Sequence, residues 1–203
     1  MVDRITPDGP IPAPARRRAL LLVVLALVVT PVVADEAAAW AALRAGGHVA
    51  LIRHASTEPG LGDPKGYRLD DCATQRNLSG PGREESKAIG ERFRREGIAV
   101  DKVYTSPWCR CRDTATQAFG KAEDWEALSS FFDEPHREAG LTERVKQRIG
   151  NYSTRRPKGT VVMVTHNVNI AALTKLSVGT GDIVVVRPDG CCGLKVVGQV
   201  RVR

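Results

Sequence analysis

The stretch GHVALIRHA (47–55) joins an apolar run directly to an arginine and a histidine. Its apolar part has the length and composition of a buried strand. Two later apolar runs also end at polar residues: VDKVYT (100–105) leads into Ser106, and TVVMVT (160–165) leads into His166. Ligands of open α/β sheets bind beyond the carboxyl ends of the strands. We therefore expect these three strand ends to border one site.

Helical signals separate the three predicted strands. Ser79 is a favourable helix N-cap, Pro81 suits the first turn that follows, and further helices are expected over 108–119 and 167–176. The alternation of strands and helices predicts a three-layer α/β/α sandwich with a mostly parallel central sheet. A turn signal at 188–190 (PDG) between two more apolar runs predicts a hairpin that adds an antiparallel edge strand.

Residues 1–34 differ in composition from the rest of the chain. Three arginines at 16–18 precede an apolar run over 19–34 that ends in small residues. This order predicts a secretory signal peptide, which leaves 35–203 as one domain in the periplasm or outside the cell. An uncleaved anchor in the inner membrane is the alternative, although a run that contains a proline and is this short is unfavourable for a spanning helix.

The charge balance is basic, because 30 Lys and Arg against 23 Asp and Glu give a net charge of +7. This balance favours an anionic partner without distinguishing nucleic acid, lipid and phosphorylated small molecules. Nucleic-acid binding lacks support, since no basic run beyond the N-terminal segment exceeds two residues and aromatic residues make up 5% of the chain. A metal site is not expected, because neither of the two closely spaced cysteine pairs, 109/111 and 191/192, has a histidine at a spacing suited to shared metal binding.

The three sequence blocks resemble the histidine phosphatase superfamily, the clan that includes cofactor-dependent phosphoglycerate mutase. LIRHAST (51–57) is similar to the family's strand followed by Arg-His-Ala or Arg-His-Gly, and VMVTHNVNIA (163–172) is similar to its apolar strand followed by Thr-His. YTSPWCRCRDTA (104–115) has the family spacing at Ser106, Arg110 and Thr114. The resemblance runs from about 47 to 176 and implies a phosphoglycerate mutase-like fold. The loop at 63–79 is most similar to exported bacterial members.

The resemblance implies a phosphomonoester hydrolase that works through a covalent phosphohistidine, without a metal or other cofactor. His54 would be the nucleophile, while Arg53, Arg110 and His166 would bind the phosphoryl group. Thr57 would hydrogen-bond a phosphate oxygen, or else be an ordinary loop residue. The substrate would be a small-molecule or envelope-linked phosphomonoester. Two alternatives stay open: a non-catalytic phosphate-binding module of the same fold, and a phosphohistidine-protein phosphatase.

The proton donor is less well defined by the resemblance. Many family members carry an acidic residue between the second and third blocks, and here the candidates are Glu134, which is favoured, and Asp133. Phe131 and Phe132 are expected to desolvate this carboxyl group. The other interpretation of this stretch is a solvated turn before Pro135. The enzyme would then have no proton donor, which a good leaving group makes unnecessary.

Five cysteines follow the N-terminal segment, and an odd number leaves at least one of them without an internal partner. Cys72 lies in a long loop (55–78) beside the predicted site, and Cys109 directly precedes Arg110. In an oxidising compartment a Cys72–Cys109 disulfide would pin this loop over the site, although the sequence alone leaves the connectivity open. The vicinal pair at 191–192 is expected to consist of free thiols.

Overall fold

A six-stranded sheet forms the centre of the computed structural model, which describes residues 36–154, 158–190 and 193–202. The strands are β1 (Val49–Arg53), β2 (Val100–Thr105), β3 (Glu123–Asp124), β4 (Thr160–Thr165), β5 (Ile183–Asp189) and β6 (Gly193–Val200). Their order across the sheet is β3-β2-β4-β1-β5-β6. The first four strands are parallel, and the β5–β6 hairpin adds an antiparallel edge.

Five α-helices pack on the two faces of the sheet within the described residues. They are α1 (Glu36–Ala45), α2 (Gly80–Arg95), α3 (Cys109–Phe119), α4 (Glu138–Thr154) and α5 (Asn167–Thr174). Three short 3-10 helices occur at Cys72–Thr74, Glu126–Leu128 and Pro135–Arg137. The first three α-helices share one face and the last two share the other. The predicted α/β/α sandwich with a mostly parallel sheet is confirmed.

The side-chain period of two along a strand assigns each core residue to a face. In β1, Ala50 and Ile52 pack in the cluster with α1, α2 and α3, whereas Val49 and Leu51 pack in the cluster with α4 and α5. All four side chains are fully buried. Because both faces of this central strand are covered, the sequence is an uninterrupted apolar run with no polar alternation.

The helix α2 begins after an N-cap residue, and its first turn lies close to the loop after β1, which contains the predicted nucleophile His54. The Ser79 hydroxyl accepts a hydrogen bond from the Gly82 backbone N–H at 3.1 Å, as an N-cap should. A Cβ atom on Gly82 would lie 1.8 Å from the Ser56 carbonyl oxygen, and one on Gly90 would lie 2.1 Å from that of Ala118. Glycine at these two positions therefore lets α2 pack against the loop after β1 and against α3.

Some elements differ from those that the sequence patterns predicted. The structure contains α1 and the two-residue strand β3, which had no predicted counterpart. Among the described residues no helix is long and apolar enough to cross a membrane. The predicted signal peptide at 1–34 and the predicted free thiols at 191–192 lie outside the described residues.

Candidate active site

A cavity of about 220 Å³ opens at the carboxyl edge of the parallel strands. The strands β2, β4 and β1 are neighbours in the sheet, so the residues that follow them meet at this edge. Four predicted site residues line the cavity together: Arg53, His54, Arg110 and His166. The topology therefore brings together side chains that are up to 113 positions apart in the chain.

His54 is held as a neutral imidazole at the inner end of this cavity. Only 4% of the residue is exposed, and its Nδ1 lies 2.9 Å from the backbone carbonyl oxygen of Ala55. A carbonyl oxygen can only accept, so Nδ1 carries the proton and Nε2 keeps its lone pair. Burial, followed by the positive charge of Arg110, lowers the pKa of His54 to about 3. The ring is therefore an available nucleophile at neutral pH.

His166 faces His54, with the two ring centroids 5.4 Å apart. Its Nε2 lies 2.9 Å from the Ser106 hydroxyl and 3.5 Å from the Cys111 thiol, both of which can donate. We therefore assign Nε2 as the acceptor and Nδ1 as the protonated nitrogen. Burial, followed by the neighbouring His54, lowers the pKa of His166 well below its ordinary value. His166 is thus a neutral hydrogen-bond donor.

The two predicted arginines are anchored through one part of each guanidinium group. Arg53 donates from Nη1 to the Val178 carbonyl oxygen at 2.6 Å. Arg110 donates from Nη1 to both carboxylate oxygens of Asp63, at 2.8 and 3.0 Å. The Nε atom of each arginine is buried and has no hydrogen-bond partner among the described residues. A buried donor without a protein partner is costly, so each Nε is available to donate to a bound anion.

Asp63 and Arg76 are site residues that the sequence analysis missed. The Asp63 side chain is 4% exposed and also accepts from Trp108 Nε1 at 3.0 Å and from the Arg76 backbone N–H at 2.9 Å. Burial raises the pKa of Asp63, but these hydrogen bonds, led by that from Arg110, outweigh it and lower the pKa overall. Asp63 is therefore an ionised counter-charge for Arg110.

Arg76 adds a third guanidinium group to the cavity lining. Its Nη1 donates to the Gly60 carbonyl oxygen at 2.6 Å, and its Nε is buried without a partner among the described residues. No spacing pattern pointed to Arg76 or Asp63, because both reach the cavity from the long loop at 55–78. The one available signal was the length of that loop, which is typical of functional segments.

A disulfide between Cys72 and Cys109 joins this loop to the first turn of α3, with the two Cα atoms 5.7 Å apart. The Gln75 side chain strengthens the same junction, because its Oε1 accepts from the Cys109 backbone N–H at 3.0 Å. Cys111 is buried and unpaired. The crosslink lies next to Arg110, so it fixes the loop that carries Asp63 and Arg76 against the guanidinium group they contact.

Thr114 links the nucleophile loop to α3. Its hydroxyl donates to the Arg110 carbonyl oxygen at 2.7 Å and accepts from the Ala55 backbone N–H at 3.0 Å. The Ser, Arg and Thr spacing in the second block thus has a structural basis: Ser106 orients His166, Arg110 lines the cavity, and Thr114 holds the residue after His54.

The acidic candidates lie at the mouth of the cavity and not in its interior. Asp133 and Glu134 line the mouth and are exposed, and Glu134 accepts a hydrogen bond from Arg137 Nη1 at 2.9 Å. The expected desolvation by adjacent phenylalanines is wrong. Phe131 turns into the protein interior, Phe132 is half exposed, and neither encloses the carboxylates.

Thr57 is not among the residues that line the cavity, and its predicted contact with phosphate stays a prediction. It forms an isolated β-bridge with Leu78, next to a hydrogen bond from the Glu58 backbone N–H to the Asn77 carbonyl oxygen. This backbone pairing holds the segment around Thr57 against the end of the loop before α2.

The part of the chain that the structure describes contains no group of three or more His, Cys, Asp or Glu side chains arranged to hold a metal ion.

Comparisons with known proteins agree on the fold. The model of the histidine phosphatase superfamily (branch 1) matches residues 49–131. A structure of the protein histidine phosphatase SixA complexed with tungstate has 18% identity and a TM-score of 0.56, covering 75% of this chain and 96% of that one. The mycobacterial glucosyl-3-phosphoglycerate phosphatase has 16% identity and a TM-score of 0.55, with 74% and 97% covered.

A third similar structure is the Entamoeba histolytica phosphoserine phosphatase in complex with 3-phosphoglyceric acid. It has 16% identity and a TM-score of 0.54, covering 77% of this chain and 98% of that one. No curated protein sequence matches the chain. The family model spans the blocks that carry Arg53, His54 and Arg110, and the third block adds His166 to the same cavity. The matched part of the chain, residues 49–131, is thus similar to the histidine phosphatase superfamily, branch 1.

Proposed function

We propose that this protein hydrolyses phosphomonoesters through a covalent phosphohistidine on His54. The observation that carries the proposal is the set of three guanidinium groups around one small cavity, each with a buried Nε that has no partner among the described residues. Guanidinium groups recognise phosphate through charged, forked hydrogen bonds. A phosphoryl group supplies several acceptors at once and is small enough for this space.

In the first step, the lone pair on His54 Nε2 attacks phosphorus. A P–N bond forms as the P–O bond to the leaving group breaks, and the leaving oxygen takes up a proton. Arg53, Arg110 and the Nδ1–H of His166 stabilise the negative charge on the three other phosphoryl oxygens. The low pKa of His54 supports this role, because the nucleophile needs no deprotonation before it attacks.

In the second step, a water molecule attacks the phosphorus of the phosphohistidine. The P–N bond breaks and its electron pair returns to His54 Nε2, while the carboxylate left by the proton donor of the first step takes the proton from the water and inorganic phosphate leaves. The same three cationic or donor groups stabilise this transition state, since the charge lies on the same oxygens. Both steps are accounted for by side chains of the chain itself, as expected for an acid-type phosphatase that needs no metal.

Glu134 and Asp133 are the candidate donors of the proton to the leaving oxygen. Both border the cavity mouth, where the leaving group would lie; Glu134 shares one oxygen with Arg137, whereas Asp133 makes no ion pair within the described residues. Replacing the true donor by its amide should slow hydrolysis of an alkyl phosphate by about 10²-fold and affect an aryl phosphate far less. Equal losses on both substrates in Asp133→Asn and Glu134→Gln would contradict a donor role.

The names of the similar structures support a phosphatase without selecting a substrate. SixA is described as a protein histidine phosphatase, and the other two as phosphatases of phosphoserine and of glucosyl-3-phosphoglycerate. These substrates differ in everything except the phosphoryl group. A phosphohistidine peptide therefore belongs beside the phosphomonoesters in any substrate panel, as the alternative to a small-molecule substrate.

The decisive experiment is hydrolysis of an aryl phosphate by the purified protein, followed by acid-sensitive trapping of a labelled phosphoenzyme. His54→Ala should lower kcat by on the order of 10⁴-fold or more, because no other group replaces the nucleophile. His136→Ala is the matched control, since His136 is exposed and does not line the cavity. Full activity in His54→Ala would overturn the mechanism, and phosphate binding without hydrolysis or phosphoenzyme would indicate a non-catalytic module.

We also propose that the protein works outside the reducing cytosol. The apolar segment at 19–34 and the Cys72–Cys109 disulfide support this location, because stable disulfides are rare in reducing compartments. N-terminal sequencing of the protein isolated from the periplasm or medium should begin near Asp35. Material that starts at Met1 and sediments with membranes would support the anchored alternative.

A further inference from the structure

The cavity mouth is where the exposed large apolar side chains of the described residues are found. Leu61 is 87% exposed and Phe132 is 49% exposed, and both line the mouth. They come from different loops that meet there: a Cβ atom on Gly62, the residue next to Leu61, would lie 3.9 Å from Phe132 Cε1. Isolated exposed apolar residues are common, but two from neighbouring loops that line the same cavity form a feature of the site.

Aromatic side chains continue this apolar surface into the cavity. Tyr67 and Trp108 line the cavity with their ring centroids 5.9 Å apart. Trp108 uses its one polar atom to donate to Asp63, so the remainder of its ring is apolar surface. We call Leu61, Phe132, Tyr67 and Trp108 the apolar rim.

The size of the cavity assigns this rim to the leaving group of the substrate. At about 220 Å³ the cavity is smaller than the ~300–1,000 Å³ of pockets that enclose whole drug-sized ligands. The guanidinium and imidazole groups line its interior, so a phosphoryl group bound to them occupies the inner part of the space. The rest of a substrate must then extend toward the mouth, past Leu61 and Phe132.

The charges at the mouth discriminate against a second anionic group on the substrate. The exposed carboxylates of Asp133 and Glu134 border the same opening. Glu134 is paired with Arg137, but Asp133 makes no ion pair within the described residues, so a carboxylate or second phosphate on the leaving group would lie near an uncompensated like charge. An uncharged apolar group meets no such repulsion and covers the exposed faces of Leu61 and Phe132.

We infer that this site prefers phosphomonoesters whose leaving group is an uncharged alkyl or aryl chain, held by the apolar rim. The inference rests on the proposed function and specifies its substrate class. Both a soluble alkyl phosphate and the phosphate head of a single-phosphate lipid have this chemistry, and the rim recognises the first carbons beyond the ester oxygen in either.

The test compares three-carbon esters that differ only in polarity: propyl phosphate, glycerol phosphate and 3-phosphoglycerate. The purified protein should show kcat/KM values that fall in that order, and chain extension from ethyl to hexyl phosphate should raise kcat/KM by about twofold per methylene. In Leu61→Ser/Phe132→Ser the ratio of hexyl to glycerol phosphate should fall about tenfold. Lys65→Ser is the control, because Lys65 is exposed on the same loop and does not line the cavity.

The outcomes separate this inference from the proposed function. Hydrolysis of all esters with no preference for propyl over glycerol phosphate, or an unchanged ratio in the double variant, overturns the apolar rim and leaves the phosphatase intact. Absence of hydrolysis and of a phosphoenzyme with every ester overturns the phosphatase itself. A lipid monophosphate in vesicles is tested beside hexyl phosphate, and the one that is hydrolysed faster shows whether the preferred substrate is a lipid or a soluble ester. Faster turnover of either one than of glycerol phosphate supports the inference.

Discussion

The interior and the mouth of the cavity are built in opposite ways. In the interior, His54, His166 and Arg110 follow the ends of strands or begin a helix, are buried, and are each oriented by a hydrogen bond to a neighbour. At the mouth, Leu61 and Phe132 belong to loops and are exposed. The sheet thus supplies a fixed interior, where we propose that the phosphoryl group binds, and the loops supply surfaces that can change without disturbing it. Substitutions that act differently on the two regions test this division.

The largest effect after loss of the nucleophile is expected at Arg110. Arg110→Ala should lower kcat/KM for an aryl phosphate by on the order of 10²–10³-fold, because a buried cation that stabilises the transition state is removed. Arg112→Ala is the matched control: Arg112 lies two residues further along α3, is half-exposed and pairs with Asp124 outside the cavity. A comparable loss in the control would mean that the interior has no special electrostatic role.

The second effect concerns the crosslink between the loop and the interior. Replacing both Cys72 and Cys109 by Ser should lower the free energy of unfolding by about 3–4 kcal/mol, from the entropy of the 37-residue span that the bond closes. It should also raise KM more than it lowers kcat, since the loop carries Asp63 and Arg76 to the cavity. Urea denaturation and steady-state kinetics measure both effects. Reductant should weaken the wild type in the same way and leave the double variant unchanged.

The smallest of the three effects is a pH dependence of stability that originates in the buried imidazoles. An unfolded histidine has a pKa near 6.5, whereas burial and Arg110 lower that of folded His54 to about 3. The unfolded state therefore binds more protons below pH 6.5, and stability falls as the pH decreases toward 3. The loss should be about 2 kcal/mol per buried histidine between pH 7 and 5.

This pH effect is measured by urea denaturation of the wild type and His54→Asn at both pH values. The variant should lose less stability than the wild type on acidification, and equal losses would show that His54 titrates normally in the folded state. Activity has a different dependence, because the nucleophile stays neutral: kcat/KM should show no decrease between pH 7 and 5 that is attributable to protonation of His54.

The strand-end residues of the site could be predicted from the sequence, whereas the residues that the long loop at 55–78 contributes could not. Arg53 is the last residue of a buried strand, and His54 and His166 directly follow such strands, so the parallel topology alone brings them together. Asp63 and Arg76 reach the cavity through tertiary contacts of an irregular loop, which leave no periodic pattern in the sequence. The exposure of the Glu134 carboxylate depends on which of Phe131 and Phe132 is buried. Because the two residues are adjacent and identical, the sequence does not show which side chain faces the interior and which faces solvent.

The hydrogen bond from His54 Nδ1 to the Ala55 carbonyl oxygen also determines the positional isomer of the proposed intermediate. Because Nδ1–H donates to the Ala55 carbonyl oxygen, phosphorus attaches to Nε2, and the 1-phospho isomer is not formed. The partner is a neutral peptide carbonyl and not a carboxylate, so no second proton carrier is coupled to the ring. The phosphoenzyme should therefore be a single regioisomer, the 3-phosphohistidine, which isomer-specific antibodies or NMR can distinguish.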